Sequence, residues 1–281
     1  MQVVTRQYTS FDGLTLKGEA YGDPNRPPVI LLHGGGQTRY SWGKTAAKIA
    51  AAGWYAIAMD ARGHGETDWC PNANYALDAF VGDLRAVIGS LEQLPVVVGA
   101  SKGGITALAA AGESDRCPVR ALVLVDIAPR IEPAGMARIM NFMTARPEGF
   151  ANIEEVADAV ANYTQRSRGR NLEGLKKNVR QRADGRYIWH WDPKMIASAF
   201  EEDVEQRGER LLRAARRLTV PVLLVRGEKS DVVSAQGVEE FRDAVRHAEY
   251  VDVSGAGHMV AGDQNTIFSD AVIDFIKCLA A

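Results

Sequence analysis

The sequence predicts an α/β fold built on a mostly parallel, doubly wound sheet with helices on both faces. Short apolar runs typical of fully buried strands recur along the chain and alternate with helical stretches, as in βαβ units. Five such runs occur: PVILLH (28–33), WYAIAMD (54–60), PVVVGA (95–100), ALVLVD (121–126) and PVLLVRG (221–227). The helical stretches lie at about 40–52, 75–92, 102–112, 234–246 and 264–279. Reactive groups of such sheets collect at the carboxyl ends of the strands.

A hairpin precedes this alternation and an insertion interrupts it. The stretches on either side of Asp12-Gly13, a favoured turn dipeptide, predict an N-terminal β-hairpin. Between about 131 and 217 the chain has no buried β-branched run and is typical of several helices. We therefore expect a core and an inserted helical cap, with these bounds: core 1–130 and 218–281, cap 131–217.

Composition excludes several classes of function. The 281 residues are 46% hydrophobic and 24% charged, which is typical of a globular protein with a large core. The net charge of -2 predicts no general affinity for nucleic acid or for an anionic membrane. The first ten residues lack the basic-then-apolar order of a secretory signal, no apolar run has the length of a membrane span, and the three cysteines lack metal-ligand spacing. We expect a cytoplasmic protein without a metal site or a membrane partner.

A reactive serine is indicated directly after the third buried run. Gly99-Ala100-Ser101-Lys102-Gly103 has the pattern G-x-S-x-G between a strand and a helical stretch. In such a sharp turn the neighbours of the serine must be small, because strand and helix approach closely. The helix N-terminus also offers N–H groups to developing negative charge. Ser101 is the predicted nucleophile, and the alternative is a serine that only caps the helix.

The base that activates this serine has to be one of five histidines. His258 lies in the Gly-rich loop SGAGH after the short strand AEYVDV, and has the reach that a general base requires. His33 and His64 lie in strand-end and turn positions before the serine, which indicate structural roles. His247 ends a polar helical stretch, and His190 lies in the aromatic segment YIWHWDP of the predicted cap. His258 is therefore the predicted base.

An acid that orients the imidazole is expected between the serine and the histidine in chain order. Asp231 follows PVLLVRG by a few residues and is the favoured candidate. Asp126 ends ALVLVD at a comparable height in the sheet and is the alternative, while Glu228 lies near Asp231. Either aspartate is also compatible with a helix cap or a surface ion pair.

Two backbone amides are candidates for an oxyanion hole. PVILLH runs into Gly34-Gly35-Gly36, where the lack of side chains lets a carbonyl group approach backbone N–H groups. We expect donors from Gly35 and from Lys102, with Gly34 or Gly36 as alternatives to Gly35. The triplet lacks the Lys-Ser/Thr ending of a phosphate-binding loop and the spacing of a dinucleotide site.

Together these motifs resemble the α/β-hydrolase superfamily over nearly the whole chain. The matching segments are HGGG (33–36), DARGHG (60–65), GASKGG (99–104), RGEKSD (226–231) and GAGH (255–258). The resemblance implies a Ser–His–Asp triad, an acyl-enzyme mechanism without a cofactor, and a small-molecule substrate bound between sheet and cap. Lys102 departs from the family, which usually has an apolar or neutral residue there. Its ammonium either favours acidic substrates or points to solvent, and we expect the latter.

The resemblance implies a hydrolase of carboxylic esters or lactones, with several alternatives. The same branch contains carbon–carbon bond hydrolases of the β-diketone type and cofactor-free haloperoxidases or perhydrolases, and the fold also supports non-hydrolytic ligand receptors. Epoxide hydrolases and haloalkane dehalogenases use an aspartate nucleophile, so Ser101 argues against both. The substrate and the oligomeric state stay open.

The pocket wall is predicted only from position in the chain. Residues 166–186 carry eight Lys or Arg against Glu173 and Asp184, which is more typical of a solvated face than of a site for anions. The candidates for the wall are Gly34, Trp189, His190, Trp191 and Met259.

Overall fold

A computed structural model of the chain describes residues 2–165, 167, 172–201, 203–258 and 266–279. The strands of this part are β1 (Val3–Thr9), β2 (Thr15–Tyr21), β3 (Pro28–Leu32), β4 (Tyr55–Met59), β5 (Val96–Ala100), β6 (Ala121–Val125), β7 (Val179–Gln181), β8 (Tyr187–Trp189), β9 (Val222–Gly227) and β10 (Glu249–Val253). Eight of these described strands form one sheet in the order β1-β2-β4-β3-β5-β6-β9-β10. Within this sheet the β1–β2 and β2–β4 pairs are antiparallel, and the other pairs are parallel.

Helices cover both faces of this sheet. They are α1 (Gly43–Ala51), α2 (Leu77–Gly89), α3 (Lys102–Gly112), α4 (Pro133–Thr144), α5 (Ile153–Thr164), α6 (Pro193–Glu201), α7 (Val204–Arg216), α8 (Ala235–Ala244) and α9 (Thr266–Cys278). Short 3-10 turns occur at Arg39–Trp42 and Glu173–Asn178. Among the described helices, none has the length and apolarity needed to cross a membrane.

Central strands are buried on both faces because their sequences are continuous apolar runs. Every residue of β4, β5 and β6 is buried. One core cluster lies between the sheet and α2, α3, α7 and α8, and a second lies between the sheet and α1 and α9. The predicted α/β class, the mostly parallel sheet and the N-terminal hairpin are confirmed.

The insertion after β6 differs in two ways from the helical cap that the sequence predicts. It contains the two-stranded hairpin β7–β8, whose aromatic residues were expected in helices. In addition, α7 packs against α3, with Leu211 and Ala215 buried in the same cluster as the sheet. This helix is amphipathic and presents its apolar side to the core, so it belongs to the helical layer rather than to the cap.

Candidate active site

Ser101 lies in a strained turn between β5 and α3. Its backbone has φ 47° and ψ −116°, a region that non-glycine residues rarely adopt. The turn is held because the Ser101 amide donates to the Val125 carbonyl oxygen at 2.9 Å. A Cβ on Gly99 would lie 2.5 Å from the Gly103 oxygen, so the glycines of the motif are required by close packing. The turn projects Ser101 into a cavity at the carboxyl edge of the sheet.

His258 and Asp126 form a close pair beside this cavity. The His258 Nδ1 atom lies 2.6 Å from Asp126 Oδ2, and the two side chains are 6% and 1% exposed. With Nδ1 as the donor to the carboxylate, the other ring nitrogen is left as a proton acceptor. His258 lines the same cavity as Ser101, and a serine nucleophile has to share a cavity with its base.

The Asp126 carboxylate accepts from three groups in a space closed to solvent. Besides the imidazole, the Gly227 amide donates to Oδ1 at 3.1 Å, and Ser230 Oγ donates to Oδ2 at 2.7 Å. Ser230 itself accepts from the amides of Val232 and Val233, so its hydroxyl is fixed by the backbone. Sequence analysis missed Ser230, although it lies in the RGEKSD motif beside the favoured aspartate.

The prediction that Asp231 orients His258 is corrected by this geometry. The Asp231 carboxylate instead forms a bidentate ion pair with Arg138 of α4. Arg138 Nε donates to Oδ2 at 2.6 Å, and Nη2 donates to Oδ1 at 2.8 Å. The Arg138 guanidinium lowers the pKa of the Asp231 carboxyl, which is 41% exposed. Because β6 and β9 are neighbours in the sheet, both aspartates follow adjacent strand ends. Asp126 comes directly after its strand and points inward, whereas Asp231 lies beyond a turn and faces the cap.

Within the described part of the chain, one amide of the glycine triplet is left for a substrate. The Gly34 amide donates to Gln37 Oε1 at 3.0 Å, and the Gly36 amide donates to His64 Nε2 at 3.3 Å. Among the described residues, the Gly35 amide has no hydrogen-bond acceptor. Lys102 is the first residue of α3, so its amide points out of the helix N-terminus. These two amides suit an anionic oxygen near Ser101.

His33 and His64 are buried behind the cavity and connect the loops that border it. Ring nitrogens of His33 contact the Gly34 oxygen and the Ala61 amide, and those of His64 contact Gly36 and Arg62. Burial lowers the pKa of His33 and lowers that of His64 further. Both rings therefore act as neutral connectors and not as bases.

His190 was predicted to be part of the pocket wall, but it is not among the residues that line the cavity. Its Nδ1 accepts from the Gly65 amide at 2.8 Å, and its Nε2 lies 3.3 Å from the Gly36 oxygen, so the ring joins the cap to two core loops. Burial lowers its pKa to about 3. The aromatic sequence context suggests a pocket wall, but the ring lies edge-on to Trp191 at 5.2 Å and directs its nitrogens to the loops after β3 and β4.

The cavity has a volume of about 1140 Å³ and is bounded by the sheet edge and the cap. The predicted wall residues Gly34, Trp189 and Trp191 line it, and Met259 lies outside the described residues. The rings of Trp189 and Trp191 stack at 4.8 Å, which makes this part of the wall rigid and apolar. Methionines from α4 continue the apolar surface, and such flexible side chains adapt to ligands of different shape.

The Lys102 side chain was expected to point to solvent, but it packs on an aromatic ring. Its ammonium lies 3.8 Å from the centroid of the Phe80 ring, and Lys102 is one of the residues that line the cavity. A cation over an aromatic face is stabilised by the negative charge density of the ring. Among the described residues, no cluster of three or more His, Cys, Asp or Glu side chains is placed to hold a metal ion.

A cavity at the carboxyl edge of a mostly parallel sheet, covered by an insertion after the sixth strand, defines a class of α/β enzyme. The family model described as "alpha/beta hydrolase fold" matches residues 27–263, and the chain belongs to this family. The protein is a hydrolase.

Comparisons with known proteins agree with this assignment. The chain is 29% identical to a 3-hydroxybutyrate-oligomer hydrolase of Cupriavidus necator, with 85% of each chain covered. It is 30% identical to an esterase of Mycobacterium tuberculosis, over 85% of this chain and 78% of the other. A solved α/β hydrolase from Novosphingobium aromaticivorans superposes with a TM-score of 0.79 at 27% identity, over 99% and 97% of the two chains.

Proposed function

We propose that the protein is a serine hydrolase that cleaves a carboxylic ester or lactone of a small organic molecule through an acyl-enzyme intermediate. The observation that carries the proposal is the 2.6 Å contact between His258 and Asp126 beside the cavity that Ser101 lines. A buried carboxylate on Nδ1 keeps the imidazole in the tautomer that accepts the serine proton. Asp126, and not Asp231, is the acid of the proposed triad.

The proposed reaction begins when Ser101 Oγ attacks the ester carbonyl carbon and its proton passes to the free ring nitrogen of His258. The amides of Gly35 and Lys102 then stabilise the oxyanion of the tetrahedral intermediate. The intermediate collapses to the acyl-enzyme, and the departing alkoxide takes the proton from the imidazolium. Water, deprotonated by the same ring, releases the acid and restores the hydroxyl of Ser101.

The names of two relatives favour an ester over other substrates. The relative from C. necator is named for hydrolysis of 3-hydroxybutyrate oligomers, and the relative from M. tuberculosis is named an esterase. The apolar wall around Trp189 and Trp191 suits the acyl or alkyl part of such a molecule.

Replacement of Ser101 tests this proposal. Ser101→Ala should abolish hydrolysis of p-nitrophenyl butyrate and prevent labelling by a fluorophosphonate probe, because the attacking oxygen is removed. Ser230→Ala keeps Ser101 and serves as the matched serine control, since it should still be labelled. Full activity of the Ser101→Ala enzyme, or labelling at another residue, would show that the nucleophile is wrongly assigned.

A further inference from the structure

The basic segment 166–186 contains one described cation that differs from the others. Four of its described basic side chains are bound away from the cavity. Lys176 pairs with Glu173, Arg182 pairs with Asp184, Arg180 donates to the Gly65 oxygen, and Arg186 donates to the Glu148 and Gly149 oxygens. Lys177 alone among these five lines the cavity.

Lys177 lies exposed at the mouth of the cavity, in the 3-10 turn Glu173–Asn178. Its ammonium is 4.1 Å from the centroid of the Tyr40 ring, on the core side of the mouth. Within the described part of the chain, no carboxylate lies within ion-pair distance of it. The Tyr40 face therefore holds the charge in place without neutralising it.

The cavity wall is basic although the chain as a whole has a net charge of -2. The described charged residues of the wall are the basic Lys102, Lys177, Arg207, Arg210 and Arg213, and the acidic Asp78 and Asp203. Arg210 pairs with both Asp78 and Glu113, so it adds no net positive charge, and Asp203 caps the N-terminus of α7. The remaining basic side chains of the wall outnumber its carboxylates, which favours anions over cations in the cavity.

We infer, on the basis of the proposed function, that the substrate is an ester that carries a free carboxylate remote from the scissile bond, and that Lys177 binds this carboxylate at the cavity mouth. The neutral ester carbonyl reaches Ser101, while the apolar middle of the molecule packs on the tryptophan wall. Asn178 and Ser41, the chain neighbours of Lys177 and Tyr40, also line the cavity and add neutral polar groups to its wall. One cation with neutral neighbours matches a monoanion.

Two esters of equal length separate charge recognition from apolar binding. These are the mono-p-nitrophenyl ester of adipic acid and p-nitrophenyl hexanoate, each measured net of spontaneous hydrolysis. We expect wild-type kcat/KM to be higher for the adipate ester, with the preference reduced by added salt. Lys177→Gln should reduce the ratio of the two kcat/KM values about threefold to fivefold, through KM, because the contact is exposed to solvent. Lys177→Arg should restore most of it.

The neighbouring lysine is the matched control. Lys176→Gln removes an equal charge from the same turn, but Lys176 is paired with Glu173 and does not line the cavity, so the ratio should stay at its wild-type value. An equal ratio in wild type and Lys177→Gln would overturn the inference, as would an equal loss in both lysine variants, which would indicate general attraction only.

A binding measurement keeps this test independent of turnover. Calorimetry with the Ser101→Ala protein should show tighter binding of monoethyl adipate than of diethyl adipate, and Lys177→Gln in that background should remove the difference. Equal affinities would overturn the inference even if both esters were hydrolysed. Hydrolysis of neither ester by wild type, together with selective binding of the monoester, would contradict the proposed hydrolysis and support the carboxylate site.

Discussion

The Asp126 carboxylate accepts hydrogen bonds from three donors, and this fixed position makes it the acid suited to orient the His258 imidazole. It is 1% exposed and accepts from the imidazole, from Gly227 and from Ser230, so its position is determined from three sides. Asp231 is about two-fifths exposed and directs both oxygens to Arg138. An exposed carboxylate with a permanent cation as partner contributes little to the orientation of a buried ring.

Exchange of each aspartate for asparagine tests this assignment. Asp126→Asn should lower kcat for p-nitrophenyl butyrate on the order of a thousandfold or more, because an amide no longer favours the reactive imidazole tautomer. Asp231→Asn is the matched control, and its kcat should stay within about threefold of wild type. The assignment would be wrong if Asp231→Asn lost activity and Asp126→Asn kept it. Circular dichroism of both variants checks that the fold is retained.

The choice between these aspartates could not be predicted from the sequence for a physical reason. Both residues follow buried runs, and only the strand order shows that the runs are neighbours in the sheet. The direction of each side chain then depends on the turn after β9 and on Arg138, which is distant in the chain. By contrast, the motif around Ser101 and the reach of His258 are local properties of a turn and a loop, and both residues line one cavity.

At the scale of elements, the turn between β9 and α8 has two functions on its two sides. Ser230 faces inward and holds Asp126, while the next residue faces outward and holds α4 of the cap. The Arg138 side chain also lies over the Tyr163 ring, which lines the cavity. The same turn therefore contacts both the buried Asp126 carboxylate and the α4 helix of the cavity wall.

Loss of the Ser230 hydroxyl should disturb this turn selectively. Ser230→Ala removes one donor from a buried carboxylate, which should lower kcat about tenfold with little change in KM, and Ser230→Thr should restore most of the activity. Ser234→Ala is the control, because Ser234 caps α8 by accepting from Gly237 and does not contact Asp126. A loss of stability in both variants with an unchanged kcat in Ser230→Ala would assign Ser230 a purely structural role.

At the scale of the whole molecule, hydrogen bonds between buried polar groups attach the cap to the core loops. His190 contacts the loops after β3 and β4, the Trp69 indole donates to its carbonyl oxygen, and Tyr75 donates to Asp192 at 2.6 Å. The hydropathy pattern locates the insertion, but it does not show these long-range contacts. For the same reason the pattern does not decide to which part α7, which lies before the predicted cap end at 217, belongs, since its apolar side fits a cap helix and a core helix equally well.

Burial of His190 makes the stability of the whole molecule dependent on pH. Its pKa is about 3 in the folded protein, below the ordinary value of 6.5, so the unfolded chain binds more protons between these limits. Stability therefore rises with pH across this window, and its loss on acidification to pH 5 should reach about 2 kcal/mol from this ring alone. Denaturant unfolding at pH 8 and pH 5 measures the change.

Two variants separate His190 from the other histidines. His190→Gln keeps a donor and an acceptor but cannot be protonated, so its loss of stability between pH 8 and pH 5 should be smaller than that of wild type by this amount. His247→Gln, at an exposed histidine, should retain the wild-type loss, and an equal loss in all three proteins would show that His190 is not the acid-sensitive group.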